Sequence, residues 1–143
     1  MASTNHTDNY NLPQWEATDA FRREDFNEAF SKIDTAIAGA GAKIAIGFYT
    51  GNNAEERTFA LDFTPVAVLV IATPKPLYDT NSMYGGLAIT DHPAVVKKGS
   101  DKWGVRIVEN GFQVSNTYYS IGGQNCYIYT NNSLYSFTYL AIA

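Results

Sequence analysis

Apolar positions near the N-terminus follow a helical repeat. They recur in steps of four and three, at Phe26, Phe30, Ile33, Ile37 and Ala40. Such steps place the side chains on one stripe of an α-helix, and their mean spacing is that of a heptad seam buried against copies of itself. We therefore expect a helical segment over residues 18–41 whose first four stripe residues drive trimerisation. The stripe also fits an amphipathic helix that lies on its own domain.

After Gly41 the pattern changes to the two-residue period typical of β-strands. Apolar residues alternate over 43–49 and again over 57–63, and the turn-forming residues between them predict a β-hairpin. Residues 66–72 are continuously apolar, which predicts a central strand covered on both faces, either by a second layer or by a neighbouring subunit.

Two further hairpins are predicted nearer the C-terminus. Asn110-Gly111 separates β-like runs at 102–109 and 112–119, and 131–134 separates runs at 127–130 and 135–143. About eight short strands in all predict a mainly β fold, an antiparallel β-sandwich spanning residues 42–143. Residues 1–17 are polar with isolated apolar side chains, so we expect an extended arm that docks onto a partner surface.

Composition narrows the functional classes. The chain is 45% hydrophobic and 17% charged with a net charge of −4, which suits a packed core and disfavours nucleic-acid binding. Its longest apolar run is far shorter than the roughly 20 residues that span a bilayer, so membrane insertion is not expected. The first residues lack the basic and apolar regions of a signal peptide, so we expect synthesis in the cytoplasm.

Catalytic and metal-binding patterns are weak. His92 follows Asp91 in a turn, but neither it nor the single Cys126 lies in a recognisable nucleophile motif, and we expect Cys126 to be a buried core residue. Asp79-Thr80-Asn81 resembles the start of a calcium loop without its glycine and closing glutamate. We expect no metal, no cofactor and no enzymatic activity. Convergence of any two of Asp62, Asp79, Asp91 and Glu109 stays open, because the sequence gives no spacing signal for or against it.

Aromatic and amide side chains concentrate in the loops and in the last turns. Aromatic faces stack on sugar rings and amides bond hydroxyl groups, so these loops are candidates for receptor binding. The first candidates are Tyr78, Asn81, Tyr118, Asn131 and Tyr135, within a wider set that includes Tyr129. Many of these tyrosines could instead line a subunit interface.

Several segments resemble short bacteriophage and prophage tail fibre or baseplate-associated proteins. The resemblance rests on Tyr10-Asn11-Leu12, Trp15, Asp19, Asp25-Phe26-Asn27, Phe30, Ile33-Asp34, Gly47–Asn52, Phe63–Val66, Tyr84–Ala88, Gly111–Val114 and Tyr139–Ala143. It covers nearly the whole chain and implies a homotrimeric virion protein. A short helical N-terminus would face the particle, and a head related to the H-type lectin sandwich would face the host.

The expected function is therefore adhesion, by a tail fibre protein that binds a host cell-surface glycan or other receptor. The N-terminal arm would contact other tail or baseplate proteins. Two alternatives stay open: a purely structural tail component, and a surface-polysaccharide depolymerase.

Overall fold

The computed structural model of the chain describes residues 5–20, 22–96 and 101–143. In these residues one helix and twelve strands follow in order: β1 (Asn5–His6), β2 (Pro13–Gln14), α1 (Arg23–Ala40), β3 (Ile44–Thr50), β4 (Glu56–Ala60), β5 (Ala67–Thr73), β6 (Tyr78–Asp79), β7 (Ser82–Met83), β8 (Gly86–Ile89), β9 (Val105–Val108), β10 (Gly111–Ile121), β11 (Gln124–Tyr129) and β12 (Ser136–Ile142). The fold is mainly β, as predicted. It divides into two compact units, Met1–Gly41 and Ala42–Ala143.

The first unit contains α1, whose first turn carries Glu24 and Asp25 at the positive end of the helix dipole. Arg22 occupies the N-cap position without a side-chain cap. The Asp19 carboxylate accepts a hydrogen bond from the Glu16 amide, before the helix starts.

The predicted heptad stripe is exposed along α1. Phe26, Phe30, Ile33 and Ile37 all retain large solvent-accessible fractions, and Ile37 is 71% exposed. The neighbouring helix face, with Ala29 buried and Ala36 half-buried, is the more protected one. The chain's own residues in this unit therefore leave the stripe largely uncovered.

The residues expected to form an extended arm are folded instead. Strands β1 and β2 pair antiparallel, and the Trp15 ring that follows them lies 6.5 Å from the Phe26 ring. Lys32 donates a hydrogen bond to the Asn11 carbonyl. The arm is a hairpin because its isolated apolar side chains find partners on α1. Residues 1–4 of the predicted arm lie outside the described residues.

The second unit is built on two larger sheets. One has the strand order β3-β12-β5-β8 and is antiparallel throughout. The other has the order β4-β10-β11-β7-β6, with β9 also paired to β10, and only its β11–β7 pair is parallel. Side chains from both sheets form one hydrophobic core, in which Tyr49 and Tyr139 of the first sheet contact Phe59 of the second.

The predicted hairpin of β9 and β10 is confirmed, with its turn one residue earlier, at Glu109-Asn110, where Asn110 adopts a positive φ of 52°. The other two predicted hairpins are wrong. β3 pairs with β12 whereas β4 pairs with β10, and β11 pairs with β10 whereas β12 pairs with β3 and β5. At both turns the chain passes from one sheet to the other. Both turns carry asparagines, whose side chains form hydrogen bonds from one turn to the other, as described below.

No helix in the described part of the chain is long and apolar enough to cross a membrane.

Candidate functional site

Five tyrosine rings lie in contact along one side of the second unit and are called the tyrosine ladder here. Successive ring centroids are 6.2, 5.6, 5.5 and 5.3 Å apart, in the order Tyr118, Tyr127, Tyr129, Tyr84 and Tyr135. The ladder runs from a solvent-exposed end, where Tyr118 is 65% exposed, through the buried Tyr84, which is 7% exposed, to the half-buried Tyr135.

Strand geometry creates the exposed half of the ladder. Residues two apart on a strand share a face, so Tyr127 and Tyr129 on β11 stack with an angle of only 7° between their ring planes. Tyr118 is the direct cross-strand partner of Tyr127 on β10. Cross-strand aromatic pairs of this kind stabilise a sheet by about 0.2–1 kcal/mol each.

The buried half is assembled from distant segments. Tyr84 follows β7 and Tyr135 precedes β12, and their rings meet edge to face. The ammonium group of Lys75 lies 5.3 Å from the Tyr84 ring centre and 5.8 Å from that of Tyr135. This end of the ladder is thus an aromatic surface with a cation held over it.

The hydroxyls of Tyr127, Tyr84 and Tyr135 lie close enough to that of Tyr129 to interact with it electrostatically. Burial raises the pKa of Tyr129 above its ordinary value, and the neighbouring Tyr127, Tyr84 and Tyr135 hydroxyls raise it further because nearby phenolates would repel. The Tyr129 hydroxyl therefore stays protonated at neutral pH, when it can both donate and accept a hydrogen bond.

Such a surface can bind a ligand with both an apolar face and hydroxyl groups. Aromatic faces contact the C–H side of a sugar ring, while phenol groups bond its hydroxyls. The same chemistry also suits a protein partner, because tyrosine gives large rigid contacts at low entropy cost.

Four of the five predicted receptor residues lie on or beside the ladder. Tyr118 and Tyr135 are its two ends, and the Asn81 carbonyl accepts a hydrogen bond from the Tyr127 amide at 2.8 Å. Tyr78 is exposed on β6, where it pairs with Met83, the residue before Tyr84. The structure therefore brings together residues that lie up to 57 positions apart between Tyr78 and Tyr135.

The burial of the fifth candidate, Asn131, contradicts its prediction as a receptor-binding residue. Its side chain is fully buried, and its amide group donates hydrogen bonds to the Asn52 side chain at 2.7 Å and to the Ala54 carbonyl at 2.9 Å. Both amide hydrogens are therefore used internally to join two turns. Asn131 is a structural residue rather than a receptor contact.

Sequence reasoning missed Tyr84, Tyr127 and Lys75 as site residues. The Tyr127-Ile128-Tyr129 alternation carries a signal for a shared strand face. Tyr84 and Lys75 carry no local signal, because only the tertiary fold brings them to the ladder.

A separate cleft of about 420 Å³ has Asp91, His92, Arg106 and Glu109 among its lining residues. The cleft brings together two of the carboxylates whose convergence the sequence left undecided. Both carboxylates are exposed, and the His92 ring nitrogen Nδ1 lies 3.0 Å from the Thr90 carbonyl. Arg106 stacks on Trp103, with its guanidinium carbon 4.0 Å from the ring centre, and donates a hydrogen bond to Gln113.

The described residues contain no cluster of three or more histidine, cysteine or acidic side chains that could hold a metal ion. Cys126 is buried, as expected.

Comparison with known proteins gives no relative: no family model, no curated protein and no solved structure matches the chain.

Proposed function

We propose that this chain is a receptor-binding protein of a phage or prophage tail, which attaches the virion to a glycan on the host cell surface. In this proposal it acts without catalysis. It assembles as a homotrimer through the α1 stripe, and its two-layered unit is an H-type-lectin-like sandwich. The observation that carries the proposal is the tyrosine ladder.

The ladder supports a role in binding because its tyrosines are more exposed than packing into the core would require. A tyrosine that served only the core would be buried, whereas Tyr118 is largely exposed and Tyr127, Tyr129 and Tyr135 are half-buried. Lys75 adds a cation that favours acidic sugars, which are frequent in bacterial surface polysaccharides. Three such shallow sites on one trimer would act together, and avidity of roughly 10²–10⁴-fold makes a deep pocket unnecessary.

The test is binding of the purified protein to a panel of capsular, lipopolysaccharide and cell-wall glycans. Tyr118→Ala and Tyr127→Ala should each weaken binding of the recognised glycan by about tenfold per site, since an aromatic contact contributes about 0.5–1.5 kcal/mol beyond its buried area. Tyr10→Ala is the matched control, because Tyr10 is also exposed, at 58%, but lies in the first unit.

Unchanged mass and melting temperature must accompany the loss of binding. If the two variants bind normally, the ladder is not the receptor site. If they dissociate into smaller species, the tyrosines are assembly residues, and the chain is a structural tail component.

A second candidate function rests on the cleft that holds Asp91 and Glu109. Two carboxylates flanking a sugar would make the protein a polysaccharide depolymerase. Their exposure argues against it, because a general acid usually owes its raised pKa to burial. Release of reducing ends from the bound glycan, abolished by Glu109→Gln, would establish cleavage; absence of release favours pure adhesion.

A further inference from the structure

We infer that the outer face of the β3-β12-β5-β8 sheet packs against the outer faces of further copies of this chain. The opposite, inner face of this sheet belongs to the core described above. The outer face is apolar and uncovered, and its side chains align in rows across the strands.

The central row crosses all four strands. Strand register places Ile46, Leu140, Leu69 and Leu87 side by side on one face. Ile46 is 72% exposed, and Leu87 is 58% exposed at the other end of the row. Four neighbouring aliphatic side chains, on strands about 4.8 Å apart, form a continuous ridge open to solvent.

The flanking rows extend this surface. One row contains Phe48, Thr138 and Ile71, and the other contains Ile44, Ile142, Ala67 and Ile89. Phe48 has the highest exposed fraction of any large apolar side chain in the described residues, 89%. The rows carry no charged group, and Thr138 is their only polar side chain.

The apolar surface has a sharp polar boundary. The next row beyond Phe48 is Thr50, Ser136 and Thr73, and the first two hydroxyls lie 3.5 Å apart. A change from apolar to hydroxyl-bearing residues at the same position on three strands is the pattern expected at the rim of an interface.

The central strand β5 shows why a cover is required. Its inner residues Val68 and Val70 are fully buried, while its outer residues Leu69 and Ile71 are apolar but remain accessible. A strand that is apolar on both faces is typical of sheets covered on both sides. Within the described residues of the second unit, only the inner side has its cover.

The area of the apolar sheet face can be compared with the area that a stable interface buries. Four strands and three rows cover a plane of roughly 400 Å². The 18-residue helix α1 is about 27 Å long, and its stripe adds roughly 270 Å². Each area alone falls short of the ~800 Å² per partner of a standard stable interface, so a stable contact between copies needs more than one of these surfaces.

A second copy of the chain offers an uncharged apolar counterpart to each of these surfaces. Every copy of this chain carries both surfaces, the stripe ending at Ala40 and the sheet face beginning at Ile44. Exposed apolar areas of this size on a lone chain would promote aggregation. Self-association can cover each surface with its counterpart on another copy, the stripe within the first unit and the sheet face within the second. It does not depend on the receptor chemistry of the tyrosine ladder.

The first experiment measures the mass of the full chain by light scattering after chromatography. The double variant Ile46→Lys/Phe48→Lys should raise the dissociation constant of the oligomer at least 100-fold, because lysines would lose their hydration at the interface. Leu134→Lys is the matched control: Leu134 is 82% exposed, but it lies in a turn outside the sheet face. Circular dichroism must show that all variants remain folded.

A second experiment locates the contact without introducing a charged residue. Ile46→Cys and Leu134→Cys are each treated with a short bismaleimide linker, the native Cys126 being buried. Covalent oligomers should form with Ile46→Cys and not with Leu134→Cys. A monomeric wild-type chain, a lysine variant that associates normally, or an Ile46→Cys protein that fails to cross-link would each overturn the inference.

Discussion

At the residue scale, a few buried polar groups fix the path of the chain between the sheets. The Tyr49 hydroxyl donates to the Thr130 carbonyl at 2.6 Å, and its ring stacks on Phe137 at 4.8 Å. The buried Thr130 hydroxyl lies within hydrogen-bond distance of the Gly104 and Ser115 carbonyls. Tyr49 thus satisfies a carbonyl that the interior would otherwise leave unpaired, at a cost of about 1–3 kcal/mol.

Tyr49 also predicts a loss of stability at alkaline pH. Burial strongly raises the pKa of Tyr49, with Arg57 opposing the shift, so the folded state keeps its proton after the unfolded state begins to lose it near pH ~10. This contribution is fully present below that pH and is lost as the pH rises further. Urea unfolding between pH 8 and 11, a range chosen around the ordinary tyrosine pKa of about 10, should show the decline.

Tyr49→Phe should be about 1–3 kcal/mol less stable than the wild type at pH ~8, because the Thr130 carbonyl loses its partner. Its stability should then fall less steeply above pH ~10 than that of the wild type, since one shifted phenol has been removed. Parallel curves for the two proteins would show that another group governs the decline.

Residue roles were only partly predictable from the sequence. The pattern of aromatic and amide residues pointed to the region of the tyrosine ladder, because Tyr118 and Tyr135 are its two ends. It could not separate a surface amide from Asn131, whose hydrogen-bond partners Asn52 and Ala54 lie more than 70 positions away. A buried turn and an exposed loop favour the same residue types, because both need side chains that bond the backbone.

At the element scale, the heptad stripe predicted a helix that the structure places at Arg23–Ala40. Strand pairing was predictable only where the turn itself forces it. The turn before Gly111 does so, because Asn110 takes the positive φ that a tight hairpin turn requires. The turns near Asn52 and Asn131 do not, because Asn53 and Ser133 bond each other and hold together two crossings between the sheets.

The exposed helix stripe predicts that assembly is sensitive to charge on α1. Ile33→Asp and Ile37→Asp should each lower the solution mass below that of the trimer, since carboxylates would face one another in the seam. Ala38→Asp is the control, because Ala38 is exposed on the same helix but lies outside the stripe. Light scattering at micromolar concentration gives the masses. Trimers with Ile37→Asp, or a wild-type monomer, would contradict a role for the stripe in assembly.

At the scale of the whole molecule, the change of period near Gly41 predicted a division that coincides with the boundary between the two compact units. The layered core was predictable because alternating apolar residues on many short strands have few other ways to be buried. The continuous apolar run at 66–72 predicted that the outer face of the sheet is apolar. The sequence of this run does not distinguish a second layer from another subunit as the outer cover, because either would bury its apolar side chains equally well.

The division into units predicts the outcome of removing residues 1–17. The hairpin contacts α1 through Trp15 and Asn11, within the first unit, so its loss should leave the second unit intact. The main thermal transition should shift by no more than about 3 °C, as for changes within ~0.5 kcal/mol. Trp15→Ala is the matched variant, because it removes only the ring packed on Phe26. Differential scanning calorimetry measures the transition, and loss of cooperative unfolding after the deletion would show that the hairpin belongs to the fold of the second unit.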